Sequence, residues 1–144
     1  MSSFSLRLEL LLSALRRKRG KVFHNRRGAI NGYDPVAYFL EQKSLAGKKE
    51  ISCSWNRAIW YFSSMENKER FVAEPEKYAP QFGGYCAYGV NNGYKIHSDP
   101  NCWTIFEGKL YLNYNARVQQ VWRAGPETYI EVAAENWERL KDRW

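Results

Sequence analysis

The residues of this chain best equipped for chemistry are Cys86, His97 and Cys102. Cys86 stands in Gly83-Gly84-Tyr85-Cys86-Ala87-Tyr88-Gly89-Val90, and His97 and Cys102 follow in Gly93-Tyr94-Lys95-Ile96-His97-Ser98-Asp99-Pro100-Asn101-Cys102. A thiol at the start of a helix ionises more readily in the dipole field and gains nucleophilicity. Two thiolates and an imidazole are also a ligand set for Zn or Cu, although this spacing follows no established ligand motif. As a nucleophile, Cys86 needs the His97 imidazole within hydrogen-bond reach and a third group to orient the ring. Asp34 paired with Asp99 or Glu107 is a weaker arrangement for acid–base work. Recognition is the alternative to reaction. Tyr38, Tyr85, Tyr88, Tyr111 and Tyr114, with Asn113 and Asn115, supply apolar walls with polar tips for a small ligand. The ligand-binding set expected on these grounds is Asp34, Tyr38, Tyr85, Cys86, Tyr88, Tyr111, Asn113 and Tyr114. Each of these rings is also accounted for as a core aromatic whose hydroxyl finds a partner. No phosphate-binding Walker pattern, dinucleotide fingerprint or His-Glu-x-x-His is present.

The elements that must position these groups are legible from periodicity. Gly83-Gly84 permits a tight turn or a close backbone approach. If Tyr85 to Val90 open a helix, its first N–H groups face an anion or a polar ligand; otherwise the stretch is a turn feeding a buried aromatic helix. Asp34-Pro35 reads as an N-cap and first helical residue, with Val36, Tyr38 and Phe39 inward. Ile51 to Trp55 and Ala58 to Phe62 form a hairpin about Asn56-Arg57, with Cys53, Trp55, Trp60 and Phe62 on the buried face. Ser63 or Ser64 caps a helix to about Ala73, with Met65 and Phe71 as its apolar residues and Pro75 ending it. A second hairpin turns at Glu107-Gly108, with Trp103, Ile105, Leu110 and Leu112 on one face. Asn113 or Asn115 then caps a helix carrying Val118, Val121 and Trp122. A last amphipathic helix follows Gly125-Pro126 through Tyr129, Val132, Ala133, Asn136, Trp137 and Leu140. The fold class expected is α+β: a single domain of two β-hairpins packed against several helices, preceded by an amphipathic N-terminal helix.

Charge divides the chain. Residues 1–30 hold eight Lys and Arg against Glu9 alone, whereas residues 31–144 balance fourteen cations with fourteen anions. The body is neutral, so the net charge of +7 carries no argument that the body binds nucleic acid. Phe4, Leu8, Leu11, Leu12 and Leu15 share one helical face, with Leu6 and Leu10 widening it, and Arg16-Arg17-Lys18-Arg19 follow at its C-terminal end. A secretory leader has its cations before the apolar stretch, so no signal peptide is expected. Docking of this helix on the body or on a second chain is one reading. Peripheral membrane contact through residues 4–19, with leucines in the acyl boundary and cations on headgroups, is a second, and an organelle-targeting leader is a third. Residues 20–31 read as a linker, which divides the chain into an arm over 1–30 and a domain over 31–144. Three unpatterned cysteines suit a reducing, cytoplasmic setting better than a secreted one.

Several of these segments together resemble the YHS domain family. They are Asp34-Pro35-Val36, Tyr61-Phe62-Ser63-Ser64, Phe71 and Pro75-Glu76-Lys77-Tyr78. Beyond them, the stretches Gly32 to Phe39, Ala79 to Val90 and Gly108 to Asn115 are similar to the longer bacterial YHS-domain proteins of unassigned activity. The resemblance spans about residues 31–140. It implies the fold, and for metal-handling members it implies thiolates at positions that here hold Ala37, Ser63 and Asn67. Neither Ala nor Ser replaces a thiolate toward a soft metal. The expected function is therefore a non-enzymatic binding or accessory module, engaging a small ligand or a protein partner, without that metal centre. Two alternatives stand beside it: a metal-binding or redox protein using Cys86 with His97 or Cys102, and a membrane-associated or oligomerising protein acting through its arm.

Overall fold

The structure is a computed structural model describing residues 3–14 and 20–143 and, within the first helix, the side chains of residues 5–10. The fold is α+β, built from three antiparallel two-stranded sheets and the helices around them. In chain order the elements begin with α1 (Ser3–Ala14), β1 (His24–Asn25), β2 (Gly28–Ala29) and α2 (Ala37–Leu40). The central hairpin β3 (Lys48–Trp55) and β4 (Ala58–Phe62) leads to α3 (Met65–Ala73) and α4 (Pro75–Tyr78). After a 3₁₀ turn at Gln81–Gly84 come α5 (Ala87–Asn91), the hairpin β5 (Asp99–Phe106) and β6 (Lys109–Asn113), then α6 (Ala116–Arg123) and α7 (Pro126–Leu140).

Both expected hairpins form in the expected register. Trp55 faces Ala58 and Cys53 faces Trp60 across the first; Ile105 faces Leu110 and Trp103 faces Leu112 across the second. Their turns are made by pairs of positive-φ residues, Asn56 (+51°) with Arg57 (+62°) and Glu107 (+50°) with Gly108 (+77°), as the right-handed twist of two-residue hairpins demands. Trp60 and Phe62 are buried and stack on Phe71 from α3, at 5.1 and 5.3 Å between ring centroids. Ser64 caps α3 by accepting from Asn67 N at 3.1 Å, and Asn115 caps α6 by accepting from Val118 N at 2.9 Å. Two apolar residues of the expected helices face solvent: Met65 and Val132 are 53% and 41% exposed. Each sits beside residues that already fill its helix's buried stripe, Asn67 and Phe71 in α3 and Ala133 in α7.

The N-terminal segment departs most from expectation. Residues 20–31 are not a linker: β1 and β2 pair, and Val22, Phe23, Ala29 and Ile30 are buried in the core. The physical reason is that Arg26 and Arg27 occupy the turn, where a charged pair is solvated, while apolar residues flank it. In α1, Leu6 and Leu10 are buried at 1% and 0% exposure, whereas Leu8 is 48% exposed. The helix docks on the body, but through the Leu6–Leu10 line rather than the face holding Leu8. The side chains of Phe4, Leu11 and Leu12, and Leu15 with the basic run Arg16 to Arg19, lie outside the described residues. No helix among the described residues is long and apolar enough to cross a membrane.

Candidate functional site

Asp34 is fully buried and accepts five hydrogen bonds. Its Oδ1 takes Val36 N at 2.8 Å and Ala37 N at 3.3 Å, the capping contact expected of it, although regular α2 starts only at Ala37. Its Oδ2 takes Ser63 N at 2.8 Å, Ser63 Oγ at 2.7 Å and Asn67 Nδ2 at 2.8 Å. No Lys or Arg pairs with it among the described residues. One carboxylate thus pins the start of α2, the end of β4 and the first turn of α3. Ala37, Ser63 and Asn67, the three positions where the family resemblance places thiolates, all donate to it. Asp34 is a structural acceptor enclosed by donors, so it offers nothing to an external ligand.

Cys86 ends in a similar enclosure. Its thiol donates to Asn113 Oδ1 at 3.5 Å and its sulfur accepts from Gly89 N at 3.4 Å. Burial pushes this thiol up to about 12, against the backbone N–H groups of Gly89, Tyr114 and Tyr88, which pull it down. The expected activation by a helix N-terminus is therefore overturned: desolvation of the thiolate outweighs the dipole. The same geometry removes the expected anion site. α5 has five residues, and its first N–H groups are used internally, Tyr88 N by Asn113 Oδ1 at 3.3 Å and Gly89 N by Cys86. The His97 ring lies 5.0 Å from Tyr114 and 6.2 Å from Phe23. Cys102 is buried on β5, and burial raises its thiol too, with Asp99 adding to the shift. Among the described residues no group of three or more His, Cys, Asp and Glu side chains is placed to hold a metal ion.

The tyrosines are placed as core aromatics. Tyr38 donates its hydroxyl to Pro100 O at 2.8 Å and stacks on Trp103 at 5.3 Å, and burial drives its phenol far above the ordinary value. Tyr85 donates to Gly20 O at 2.7 Å, which ties the Gly-Gly segment to the start of the described body. Tyr88 packs edge-on to Tyr129 at 5.4 Å, and Tyr111 packs on Trp122 at 5.1 Å. Tyr114 and Asn113 flank the end of β6, Tyr114 half-buried against His97 and Asn113 fully buried. The structure brings Cys86, Tyr88 and Asn113 together, but as packing; Tyr38 with Asp34, and Tyr85, belong to separate clusters.

The concave surface lies elsewhere. A cleft of about 330 Å³ opens between α4, the Asn56 turn and the end of α7, with Lys21, Trp55, Glu76, Phe82, Trp137 and Lys141 in its wall. A second, of about 530 Å³, shares Lys21, Val22, Asn56 and Lys141 with the first and adds Arg57 and Asp142. A third, of about 430 Å³, shares His24 and Arg57 with the second and adds Arg26, Ile59 and Tyr61. The first two adjoin through their four shared residues as one groove, whereas the third shares no residue with the first, its Ser54, Ile59 and Tyr61 belonging to the opposite face of the β3–β4 hairpin from Trp55 and Trp60. None of the residues in these walls belongs to the set expected from sequence. The aromatic pattern of β3 and β4 gives Trp55 as a core residue, but nothing local says that its hairpin tip lies beside α7. Compared with family models, with curated proteins and with solved structures, the chain matches none of them.

Proposed function

We propose that this chain is a non-catalytic, YHS-like binding module whose working surface is the groove between the Asn56–Arg57 hairpin tip and the end of α7. The supporting observation is the separation of reactive groups from concave surface. Cys86 and Asp34 are sealed by their own neighbours, whereas the groove presents the half-buried indoles of Trp55 and Trp137 beside Lys21 and Lys141. Indoles supply rigid apolar contact area, and polar groups at the rim fix orientation. In the family's terms, Ser63 and Asn67 hold Asp34 where thiolates hold a metal in other members, so the fold is knitted by hydrogen bonds at that point.

The six tryptophans give a direct test, since each indole N–H is a separate signal in a ¹H–¹⁵N spectrum. Titration with a panel of small aromatic and anionic compounds is expected to move the Trp55 and Trp137 signals first, without consuming any compound. Shifts centred on His97 and Cys102, or turnover of a compound, would contradict the reading.

A further inference from the structure

The third cleft differs from the other two in charge. Its wall holds His24, Arg26 and Arg57 and, among the described residues, no Asp or Glu. The walls of the first and second include Glu76 and Asp142. Neither Arg26 nor Arg57 forms an ion pair among the described residues. Ile59, which is 50% exposed, and the half-buried Tyr61 make the cleft's apolar part, and Asn25 and Ser54 add polar side chains. Two hairpins meet to build it. Alternation along β4 turns Ile59 and Tyr61 away from the face of Trp60, and Gly28 lets the β1–β2 hairpin settle against them. The φ at Gly28 is +106°, and a Cβ there would come within 2.5 Å of the Tyr61 ring and 3.0 Å of the Ile59 carbonyl oxygen. That close approach brings Arg26, in the turn before Gly28, to the same cleft as Arg57 at the tip of the β3–β4 hairpin.

We propose that the third cleft binds a small phosphate monoester with a flat apolar body, its phosphate held by Arg26 and Arg57 and its body set against Ile59 and Tyr61. The site is separate from the groove beside α7 and stands or falls without it. One guanidinium fork satisfies both oxygens of a carboxylate, which leaves the second arginine unmatched. A phosphate monoester presents three terminal oxygens and up to two negative charges, enough for both. The volume of about 430 Å³ falls in the range of small-molecule sites. A nucleic-acid strand stacks successive bases on a row of aromatic side chains, whereas Tyr61 is the one Phe, Tyr or Trp in this wall among the described residues.

The test is a ¹H–¹⁵N titration of the full-length protein with phenyl phosphate, benzoate, benzyl alcohol and a single-stranded oligonucleotide. Phenyl phosphate is expected to bind saturably and to move the backbone signals of Arg26, Arg57, Ile59 and Tyr61, leaving the Trp55 and Trp137 indoles in place. Benzoate is expected to bind more weakly and benzyl alcohol not at all. Arg26→Gln changes an exposed turn residue that belongs to this cleft alone. Arg57→Asn suits the left-handed φ of +62° at that position. Each variant, with its fold checked by an unchanged melting curve, is expected to weaken phenyl phosphate about tenfold or more, as loss of a hydrogen bond to a charged group implies. Lys141→Gln, in the walls of the first two clefts, is expected to change nothing. No saturable binding of phenyl phosphate, or undiminished binding in both arginine variants, overturns the proposal. Tighter binding of the oligonucleotide than of phenyl phosphate, or equal binding of benzoate, overturns the ligand class. Shifts confined to Trp55 and Trp137 would also overturn it, while supporting the groove as the working surface.

Discussion

Asp34 and Cys86, two of the residues that look reactive in the sequence, are fully enclosed by the fold. Asp34 gathers five donors, three of them on Ser63 and Asn67. Asp34→Asn presents an amide donor to those groups and leaves buried donors without an acceptor. Loss of about 3 kcal/mol of stability is expected in denaturant unfolding, since hydrogen bonds to a charged acceptor are worth roughly 1.5–3 kcal/mol each. A change under about 0.5 kcal/mol, the range of an ordinary surface substitution, would contradict the pinning role. Cys86 carries a pH prediction. Its thiol is held up to about 12 in the folded chain against an ordinary value of 9.0. Between those values the unfolded chain has lost the proton and the folded chain keeps it, so stability falls as pH rises. The slope for this one group is about 1.4 kcal/mol per pH unit. Burial raises Tyr38, Tyr111 and Cys102 in the same direction, so unfolding free energy measured from pH 8 to 11 should decline steadily. With a thiol reagent at pH 8, the half-buried Cys53 should react before Cys86, and Cys86 should react only on unfolding. Asp34 was legible as a helix cap from Asp-Pro alone. Its contacts with Ser63, just after β4, and with Asn67 in α3 were not, because they join residues 29 and 33 positions apart.

At the scale of elements, local chemistry and the observed structure agree wherever a turn or cap is set by its own residues. The Asn56-Arg57 and Glu107-Gly108 turns, the Ser64 and Asn115 caps and both hairpin registers follow from sequence because each depends on neighbours within a few positions. The misread element is the one where a long-range partner decides. Ile30 and Phe82 both adopt positive φ, at +45° and +55°, which is rare for a β-branched or aromatic residue. The two strained segments hold each other: Phe23 N donates to Gly83 O at 2.9 Å, and Ile30 N donates to Phe23 O at 2.9 Å. A Cβ on Gly83 would overlap the Lys21 carbonyl oxygen, whereas one on Gly108 meets nothing within 4 Å. Both glycines have positive φ, +64° and +77°, so each alanine substitution costs about 1–2 kcal/mol from backbone strain alone. Gly83→Ala is therefore expected to lower stability well beyond that, and Gly108→Ala to stay within it. Equal melting temperatures for the two variants would show that the contact of the Gly-Gly turn with the β1–β2 segment is not tight.

The whole molecule is closed by its two ends. Lys95 is buried and donates to Lys141 O at 3.1 Å and Arg143 O at 2.6 Å while lying 5.5 Å from the Trp137 ring centroid. It thereby fixes the end of α7, one wall of the groove. At the other end Leu6 and Leu10 enter the core. Leu10→Ala should cost about 2–4 kcal/mol, as truncation of a buried leucine does, with no change in sedimentation with anionic vesicles. Loss of vesicle binding at unchanged stability would favour the membrane reading of the arm. Amphipathicity made this helix readable from sequence. Which of its leucines face inward was not readable, because a stripe broadened by Leu6 and Leu10 fits two orientations and only the docked partner selects one.

Asp34 is held by hydrogen bonds from Ala37, Ser63 and Asn67 and Cys86 is buried, and the proposed function requires that neither set of residues holds a metal. Native mass spectrometry tests it most directly, on protein incubated with Zn²⁺ or Cu⁺ and on protein treated with chelator, each compared with the denatured mass. The account predicts the same metal-free mass in both, and the same melting temperature. A stoichiometric metal increment that disappears in Cys86→Ser would contradict it.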